Sequence, residues 1–200
     1  MKAFFAIAAT TLLVIAYIPY ITNILRNNTR PHPYSWFISG SLTFIAFLIQ
    51  LTHGGGVGVI PTFIGSMAGL LVFALSLSNS HRPQITKSDT LFLLAAIIAA
   101  CVWLIAKQPL ASVILLSVID VLAFVPTVRK SWKHPEQETA LYYYLDAARF
   151  TFAVLALQHY SAVTVLYPAC TVIADCLHGT YILIRRKMLR QPIISKALHQ

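Results

Sequence analysis

The chain has 200 residues, of which 58% are hydrophobic and only 10% are charged, and its mean hydropathy is +0.72. A soluble domain normally carries about 25% charged residues, so this composition excludes an ordinary soluble protein and indicates an integral membrane protein. The net charge of +9 would suggest nucleic acid as the partner of a soluble domain. Here the basic residues lie in short loops between apolar segments, where they set membrane orientation, and we expect no nucleic-acid partner.

Seven apolar segments are long enough to cross a bilayer as helices, which takes about 20 residues each. The sequence therefore predicts an all-α integral membrane protein with seven transmembrane helices, forming a single transmembrane domain over residues 1–200 in the lipid bilayer. We expect the first segment to remain as a span, because no clear cleavage site for a signal peptide follows it. In chain order the segments lie near Ala3–Leu25, Trp36–Thr52, Val57–Leu77, Thr90–Ala106, Pro109–Val128, Thr139–Gln158 and Ser161–Ile184.

The basic residues are distributed unequally between the two sides of this arrangement. One side, formed by the loops after the first, third and fifth segments and by the C-terminal tail, carries twelve of the 15, whereas the other side carries only Lys2 and Lys107. The positive-inside rule then predicts an N-terminus outside and a C-terminus in the cytoplasm, with the protein in the cell membrane or inner membrane. The twelve are Arg26, Arg30, Arg82, Lys87, Arg129, Lys130, Lys133, Arg185, Arg186, Lys187, Arg190 and Lys196.

An internal repeat relates the two halves of the chain. Pro19 and Pro126 are 107 residues apart, as are Pro61 and Pro168, and a basic loop follows both the first and the fifth segment. Because the linker adds one crossing, the two three-helix units have the same orientation, an architecture used by transporters with a central site between their halves. The predicted parts are repeat 1 at about 3–78, a linker helix at about 89–106, repeat 2 at about 109–185 and a basic cytoplasmic tail at 186–200.

With these features the chain resembles the superfamily of PQ-loop, SWEET and nicotinamide-riboside-transporter (PnuC-like) proteins. The resemblance covers about residues 5–185 and rests on the 3+1+3 spans, the outside N-terminus and a proline near the cytoplasmic end of the first and fifth spans. The glutamine that follows the proline in the PQ-loop pattern is replaced here by Tyr20 and Thr127. The resemblance implies a small-solute transporter, although the superfamily also includes a sorting receptor of similar architecture.

Three of the 6 acidic residues, Asp120, Asp146 and Asp175, lie inside apolar segments, and Arg149, three residues after Asp146 on the same helix face, can pair with it. A charge at the bilayer centre costs about 2.5–3.5 kcal/mol by insertion scales, so we expect these side chains to face inward at similar depth. Three carboxylates and one guanidinium leave excess negative charge, so we expect at least one aspartate to bind a proton near neutral pH. This arrangement suits proton coupling or a cationic substrate; the alternative is that Arg149 bridges two aspartates as a structural link.

Three other residues have two interpretations each. His178, three residues after Asp175, either joins that residue in a proton path or is a neutral side chain bonded to a backbone carbonyl. Pro19 and Pro126 each remove a helical hydrogen bond, so they are either hinges for alternating access or static kinks. Trp36 is predicted to lie in an interfacial aromatic belt.

The remaining expectations concern the walls of the site and the loops. The first repeat has no ionisable residue at the positions 107 residues before the four charged residues of the second repeat. It is expected to supply polar contacts such as Asn23, Ser39 and Ser41. Gly65 and Gly69 form a GxxxG pattern that favours close helix packing within the bundle. Glu138, in the loop before the sixth span, is predicted to be solvated.

The sequence as a whole predicts a small-solute transporter that works by alternating access, either proton-coupled or for a polar or cationic organic solute. The predicted site residues are Asp120, Asp146, Arg149, Asp175 and His178, with Pro19 and Pro126 as hinge candidates. A non-transporting receptor or accessory protein of the same fold is the alternative. The sequence shows no nucleophile–base motif and no metal-ligand spacing, so we expect no enzyme activity, cofactor or metal, and a homo-oligomer is left open.

Overall fold

The computed structural model describes residues 1–78, 86–87, 90–91, 93–94, 97–98, 105 and 108–197, and over these residues the chain is helical with no strand. Short 3₁₀ turns occupy Gly56–Gly58 and Pro135–Gln137. The predicted fourth span, Thr90–Ala106, and the linker helix at 89–106 fall mainly outside the described residues. The helices are α1 (Lys2–Leu25), α2 (Pro33–Thr52), α3 (Val59–Ser78), α4 (Pro109–Lys133), α5 (Ala140–Ala156) and α6 (Ala162–Ala197).

Five helices in the described part are long and apolar enough to cross a membrane: α1, α2, α3 with the 3₁₀ turn before it, α4, and α6 as far as Leu189. Large apolar side chains cover the outside of the bundle; Phe4, for example, is 67% exposed and Leu177 is 66% exposed. Such an apolar exterior suits contact with lipid rather than water. These helices are consistent with an integral membrane protein, as the composition predicts.

Helix boundaries follow the predicted segments closely, and the differences have local causes. Helix α2 begins at Pro33 rather than at Trp36, because proline is well suited to the first turn of a helix. Helix α4 extends past Val128 to Lys133, which places basic side chains in its last turn, where they complement the helix dipole. Helix α6 continues through much of the predicted tail, as far as Ala197.

The six described helices pack as a closed ring. Helix α3 lies between α1 and α2, and α6 lies in the same way between α4 and α5. The two groups of three meet where α1 packs against α5 and where α2 packs against α4. The order around the ring is therefore α1, α3, α2, α4, α6, α5, and its interior is bounded by both halves of the chain.

One end of the ring, where α1 and α4 finish, is called here the basic end. The loops that meet at this end are tied by main-chain contacts: the Arg30 N–H donates to the Gln137 carbonyl at 3.1 Å. The Arg185 guanidinium, from α6, donates to the Trp132 carbonyl at 2.9 Å. These contacts hold the loop after α1, the end of α4 and the middle of α6 together.

The opposite end, where α2 and α5 finish, is called the glycine end. The Gln158 N–H donates to the Gly55 carbonyl at 3.2 Å, and the Gln50 side-chain amide donates to the Thr164 carbonyl at 3.0 Å. Gly58 packs directly on the end of α5, since an added Cβ would lie 2.7 Å from the Leu157 nitrogen. Only glycine allows this backbone approach, which brings the loop before α3 against the end of α5.

Candidate functional site

An interior cavity of about 50 Å³ lies between the two groups of helices, and all six described helices line it. A buried water needs roughly 10–15 Å³ on this measure, so the cavity has room for about three to five water molecules. A larger solute requires the helices to move. The lining residues are Tyr17, Ser35, Trp36, Ser39, Gly40, Thr43, Gly65, Gly69, Ala123, Phe124, Thr127, Tyr142, Tyr143, Asp146, Arg149, Phe150, Thr171 and Asp175.

Asp146 and Arg149 form a two-pronged ion pair on the cavity side of α5. The Arg149 Nε donates to Asp146 Oδ1 at 2.5 Å, and its Nη2 donates to Oδ2 at 3.2 Å. Both side chains are buried, and the guanidinium also lies 3.9 Å from the ring centre of Phe150. A charge-assisted pair with this geometry is strong and fixes both side chains. The pairing predicted from the i, i+3 spacing is confirmed.

Asp175 brings a second carboxyl from α6 to the same place, beside that of Asp146. Its Oδ2 is buried and has no hydrogen-bond partner among the described residues, and the same holds for Arg149 Nη1. Leaving a buried polar atom unpaired is costly, and a bound water, ion or ligand normally satisfies such atoms. The cavity therefore contains both a donor and an acceptor that the described protein does not satisfy.

Asp120 is buried on α4 but does not line the cavity. Its carboxyl is surrounded by Ser39, Tyr167 and Thr171, and Oδ1 has no hydrogen-bond partner in the described part. The Tyr167 hydroxyl is in turn 2.6 Å from Thr43 Oγ1. Asp120 thus lies behind the wall of the cavity and is joined to it by polar side chains rather than by direct exposure.

His178 lies among aromatic rings on α6, between the cavity and the basic end. Its ring centre is 4.5 Å from that of Tyr143 and 5.6 Å from that of Phe124. Neither ring nitrogen has a hydrogen-bond partner among the described residues, so neither interpretation is supported: His178 pairs neither with Asp175 nor with a carbonyl. His178 lies one helical turn after Asp175, but aromatic rings surround its imidazole.

The GxxxG pattern of α3 gives room for the site. A Cβ on Gly65 would lie 2.7 Å from Arg149 Nη1, so the guanidinium rests directly on the glycine backbone. A Cβ on Gly69 would lie 3.3 Å from the Cα of Gly40 on α2. The expectation of packing within the bundle is confirmed, and Gly65 also shapes the wall beside the charged pair.

Four aromatic side chains from α1, α2 and α5 form a contiguous wall toward the basic end of the cavity. Tyr20 and Tyr142 have ring centres 4.5 Å apart, and Trp36 lies 5.2 Å from Tyr20 and 5.4 Å from Tyr142. The Tyr142 hydroxyl donates to the Tyr17 oxygen at 3.0 Å. The prediction that Trp36 lies in an interfacial belt is wrong: it is only 9% exposed, because three tyrosines pack around it.

Two of the three consecutive tyrosines, Tyr142 and Tyr143, are buried and line the cavity, while Tyr144 is half-buried. Of the polar residues expected from the first half, only Ser39 lines the cavity. Asn23 instead contacts Thr139 at 3.5 Å. Ser41 is half-buried on α2, away from the cavity lining.

Glu138, like Trp36, lies in an environment different from the one that the sequence predicts. It was expected to be solvated, but its side chain is 0% exposed. The carboxylate accepts hydrogen bonds from Tyr20 at 3.2 Å, from Tyr143 at 3.1 Å and from Lys130. Tyr20 is 118 residues away in the chain, so spacing in the sequence gave no signal for this contact.

Pro19 lies inside α1 and Pro126 lies inside α4, and both helices continue past the proline. Pro126 also borders a second cavity of about 300 Å³ at the basic end, which the side chains of Arg129, Lys130 and Lys133 help to line. Each proline lacks the N–H that would continue its helix, so each is a local weak point.

A scan of family models finds no match to the chain, and searches of curated proteins and of solved structures find none either. The resemblance to the PQ-loop and SWEET superfamily therefore remains an expectation from the sequence. Across the described ranges, no group of three or more His, Cys, Asp or Glu side chains is arranged to hold a metal ion.

Proposed function

We propose that the protein is a small-solute membrane transporter that works by alternating access around the central cavity. In this account the chain has seven spans, arranged as two parallel three-helix repeats joined by a linker helix. The N-terminus lies outside, and the basic end faces the cytoplasm. The solute is polar or cationic, or its movement is coupled to protons.

The ring order supports the repeat. The third helix of each group lies between the first and second, and the two contacts between groups, α1 with α5 and α2 with α4, are equivalent under exchange of the groups. Pro19 and Pro126 occupy the first helix of each group. Helix α5 has 17 residues, which is at the lower limit for crossing a bilayer. Such a pseudo-symmetric pair allows one group to rock against the other.

The main support for the proposal is the set of unsatisfied charged groups in the cavity between the two groups of helices. Arg149 Nη1 and Asp175 Oδ2 are buried without partners among the described residues, and both side chains line the cavity. The second group supplies these charges, whereas the first supplies small or neutral polar residues such as Ser39, Gly40 and Gly65. Intramembrane charges that face a cavity at a repeat interface are typical of solute pathways.

A ligand screen by thermal stability tests where a solute binds. The purified protein is melted with nucleosides, vitamins, sugars, amino acids and polyamines at acidic and neutral pH. We expect one class to raise the melting temperature of the wild type and of Glu136→Gln, an exposed control, but not of Asp175→Asn. Stabilisation that persists in Asp175→Asn would place the solute elsewhere. Stabilisation by no member of the panel would favour the receptor or accessory role.

A further inference from the structure

The Glu138 carboxylate is the meeting point of several elements at the basic end. Its Oε2 accepts from the hydroxyls of Tyr20 and Tyr143 at 3.2 and 3.1 Å, and its Oε1 accepts from Lys130. Lys130 also donates to the Arg30 carbonyl in the loop after α1, and Arg186 of α6 donates to the Glu138 carbonyl. Contacts from α1, α4, α5 and α6 thus converge on one loop residue, and Lys130 links that residue to the α1–α2 loop.

This cluster lies against the cavity. Tyr143 lines the cavity with one part of its side chain and donates its hydroxyl to Glu138 with the other. The Tyr143 ring centre is 5.2 Å from that of Tyr142, which is itself 4.5 Å from Tyr20. These rings thus connect the cavity lining to the Glu138 cluster at the basic end.

We propose that Glu138, with Lys130, Tyr20 and Tyr143, is the gate that closes the central cavity toward the basic end. As a gate for solute it rests on the proposed transport function; as a closure of the cavity it can be tested without any solute. Tyr20 belongs to the first group of helices, whereas Lys130 and Tyr143 belong to the second. Any movement that separates the groups at this end must break the contact between Tyr20 and Glu138.

The Glu138 carboxylate holds the other three side chains of the gate in place. Its side chain is 0% exposed and that of Lys130 is 7% exposed, so removing the negative charge leaves a buried ammonium without its counter-ion. The two tyrosine hydroxyls lose a charged acceptor at the same time. Glu138 makes its hydrogen bonds at the basic end, whereas the glycine end is held by bonds of its own, from the Gln50 amide to the Thr164 carbonyl at 3.0 Å and from Lys2 to the Leu155 carbonyl at 2.9 Å. Loss of Glu138 should therefore open the basic end selectively.

The test measures how fast a thiol in the cavity reacts with a reagent that does not cross membranes. Thr171→Cys, a lining position on α6, is introduced after Cys101, Cys170 and Cys176 have been replaced by serine. Inverted and right-side-out membrane vesicles expose the two ends separately. The compared variants are Glu138→Gln and Glu136→Gln, the latter being a loop carboxylate whose side chain is 63% exposed.

We expect Glu138→Gln to accelerate labelling about tenfold or more, and only from the side of the basic end. Breaking a buried ion pair shifts the equilibrium strongly away from the closed state. Glu136→Gln should label at the rate of the parent. Equal rates in Glu138→Gln and the parent, with both proteins folded by size exclusion and melting, would overturn the gate. Acceleration only from the glycine-end side would overturn it as well.

If Glu138→Gln does not fold, the Tyr20→Phe/Tyr143→Phe double variant tests the same gate. It removes both hydroxyl donors but leaves the ion pair between Lys130 and Glu138 intact. Faster labelling from the same side supports the gate, and an unchanged rate contradicts it. Because the experiment measures thiol labelling and not solute flux, faster labelling would confirm the closure even in a protein that transports nothing. If the protein does transport a solute but Glu138→Gln does not label faster, only the gate is contradicted and the transport function stands.

Discussion

Arg149 and Asp146, one turn apart on α5, are joined by two hydrogen bonds of 2.5 and 3.2 Å in the interior of the bundle. The pair faces the cavity, and Asp175 lies beside it from α6. The guanidinium thus pairs with one of two neighbouring carboxyls, and a donor on Arg149 and an acceptor on Asp175 are left over among the described residues. This relationship is the centre of the proposed site, and it makes the pair both a structural contact and a binding group.

Breaking this pair should destabilise the protein. Asp146→Asn and Arg149→Met each leave a buried group without its partner, which typically costs about 3–5 kcal/mol. The exchanged pair Asp146→Arg/Arg149→Asp should recover part of the loss. Unfolding in detergent measures all three, with Glu136→Gln expected to change stability by less than about 1 kcal/mol. An exchanged pair less stable than both single variants would argue against the contact.

Gly65 should be sensitive to a single added methyl group. Gly65→Ala places a carbon 2.7 Å from Arg149 Nη1, so the guanidinium must move, at a cost of about 1–3 kcal/mol. In the Arg149→Met background, where the guanidinium is absent, the same change should cost clearly less. Gly179→Ala, which meets the half-buried Tyr144 ring at 3.1 Å, serves as the comparison. Equal costs in both backgrounds would show that the glycine is required for another reason.

Pro126 should matter for movement more than for stability. Pro126→Ala restores a helical N–H within α4 and should leave the melting temperature unchanged or higher. If the proline is a hinge, uptake should fall by about tenfold, because the helix loses its weak point. Pro61→Ala, in the first turn of α3, is the control and should retain uptake. Unchanged uptake in Pro126→Ala would identify the proline as a static kink.

Much of this fold could be predicted because hydropathy and length suffice to find membrane helices. The ends of α1 and α2, at Leu25 and Thr52, fall where the apolar segments end. The i, i+3 spacing also gave the contact between Asp146 and Arg149 correctly. Within one helix, spacing fixes which side chains share a face.

Contacts between distant helices could not be read in the same way. Glu138 lies in a polar loop and carries the pattern of a solvated residue, yet it binds a tyrosine 118 positions earlier. Trp36 has the usual place of an interfacial residue, but the rings of α1 and α5 enclose it. Asp120 shares the burial of the other charged groups but not their position on the cavity wall. Each depends on which helices become neighbours.

Thiol labelling tests the orientation of the ring. Thr29 is buried and bonded to Thr139 at 2.7 Å, whereas its neighbour Asn28 is exposed. In the cysteine-free background, Asn28→Cys should react with an impermeant reagent only from the cytoplasmic side. His159→Cys, at the glycine end, should react only from outside. The reverse pattern would invert the orientation and assign the Glu138 gate to the outer side.

Uptake by proteoliposomes decides whether the protein transports a solute. The purified protein is reconstituted, and entry of the radiolabelled panel solutes is followed with and without a proton gradient. We expect time-dependent uptake of one class by the wild type and by Glu136→Gln, and loss of that uptake in Asp175→Asn although this variant remains folded. A solute that stabilises the wild type but never enters the vesicles would contradict transport and identify a receptor that binds without flux.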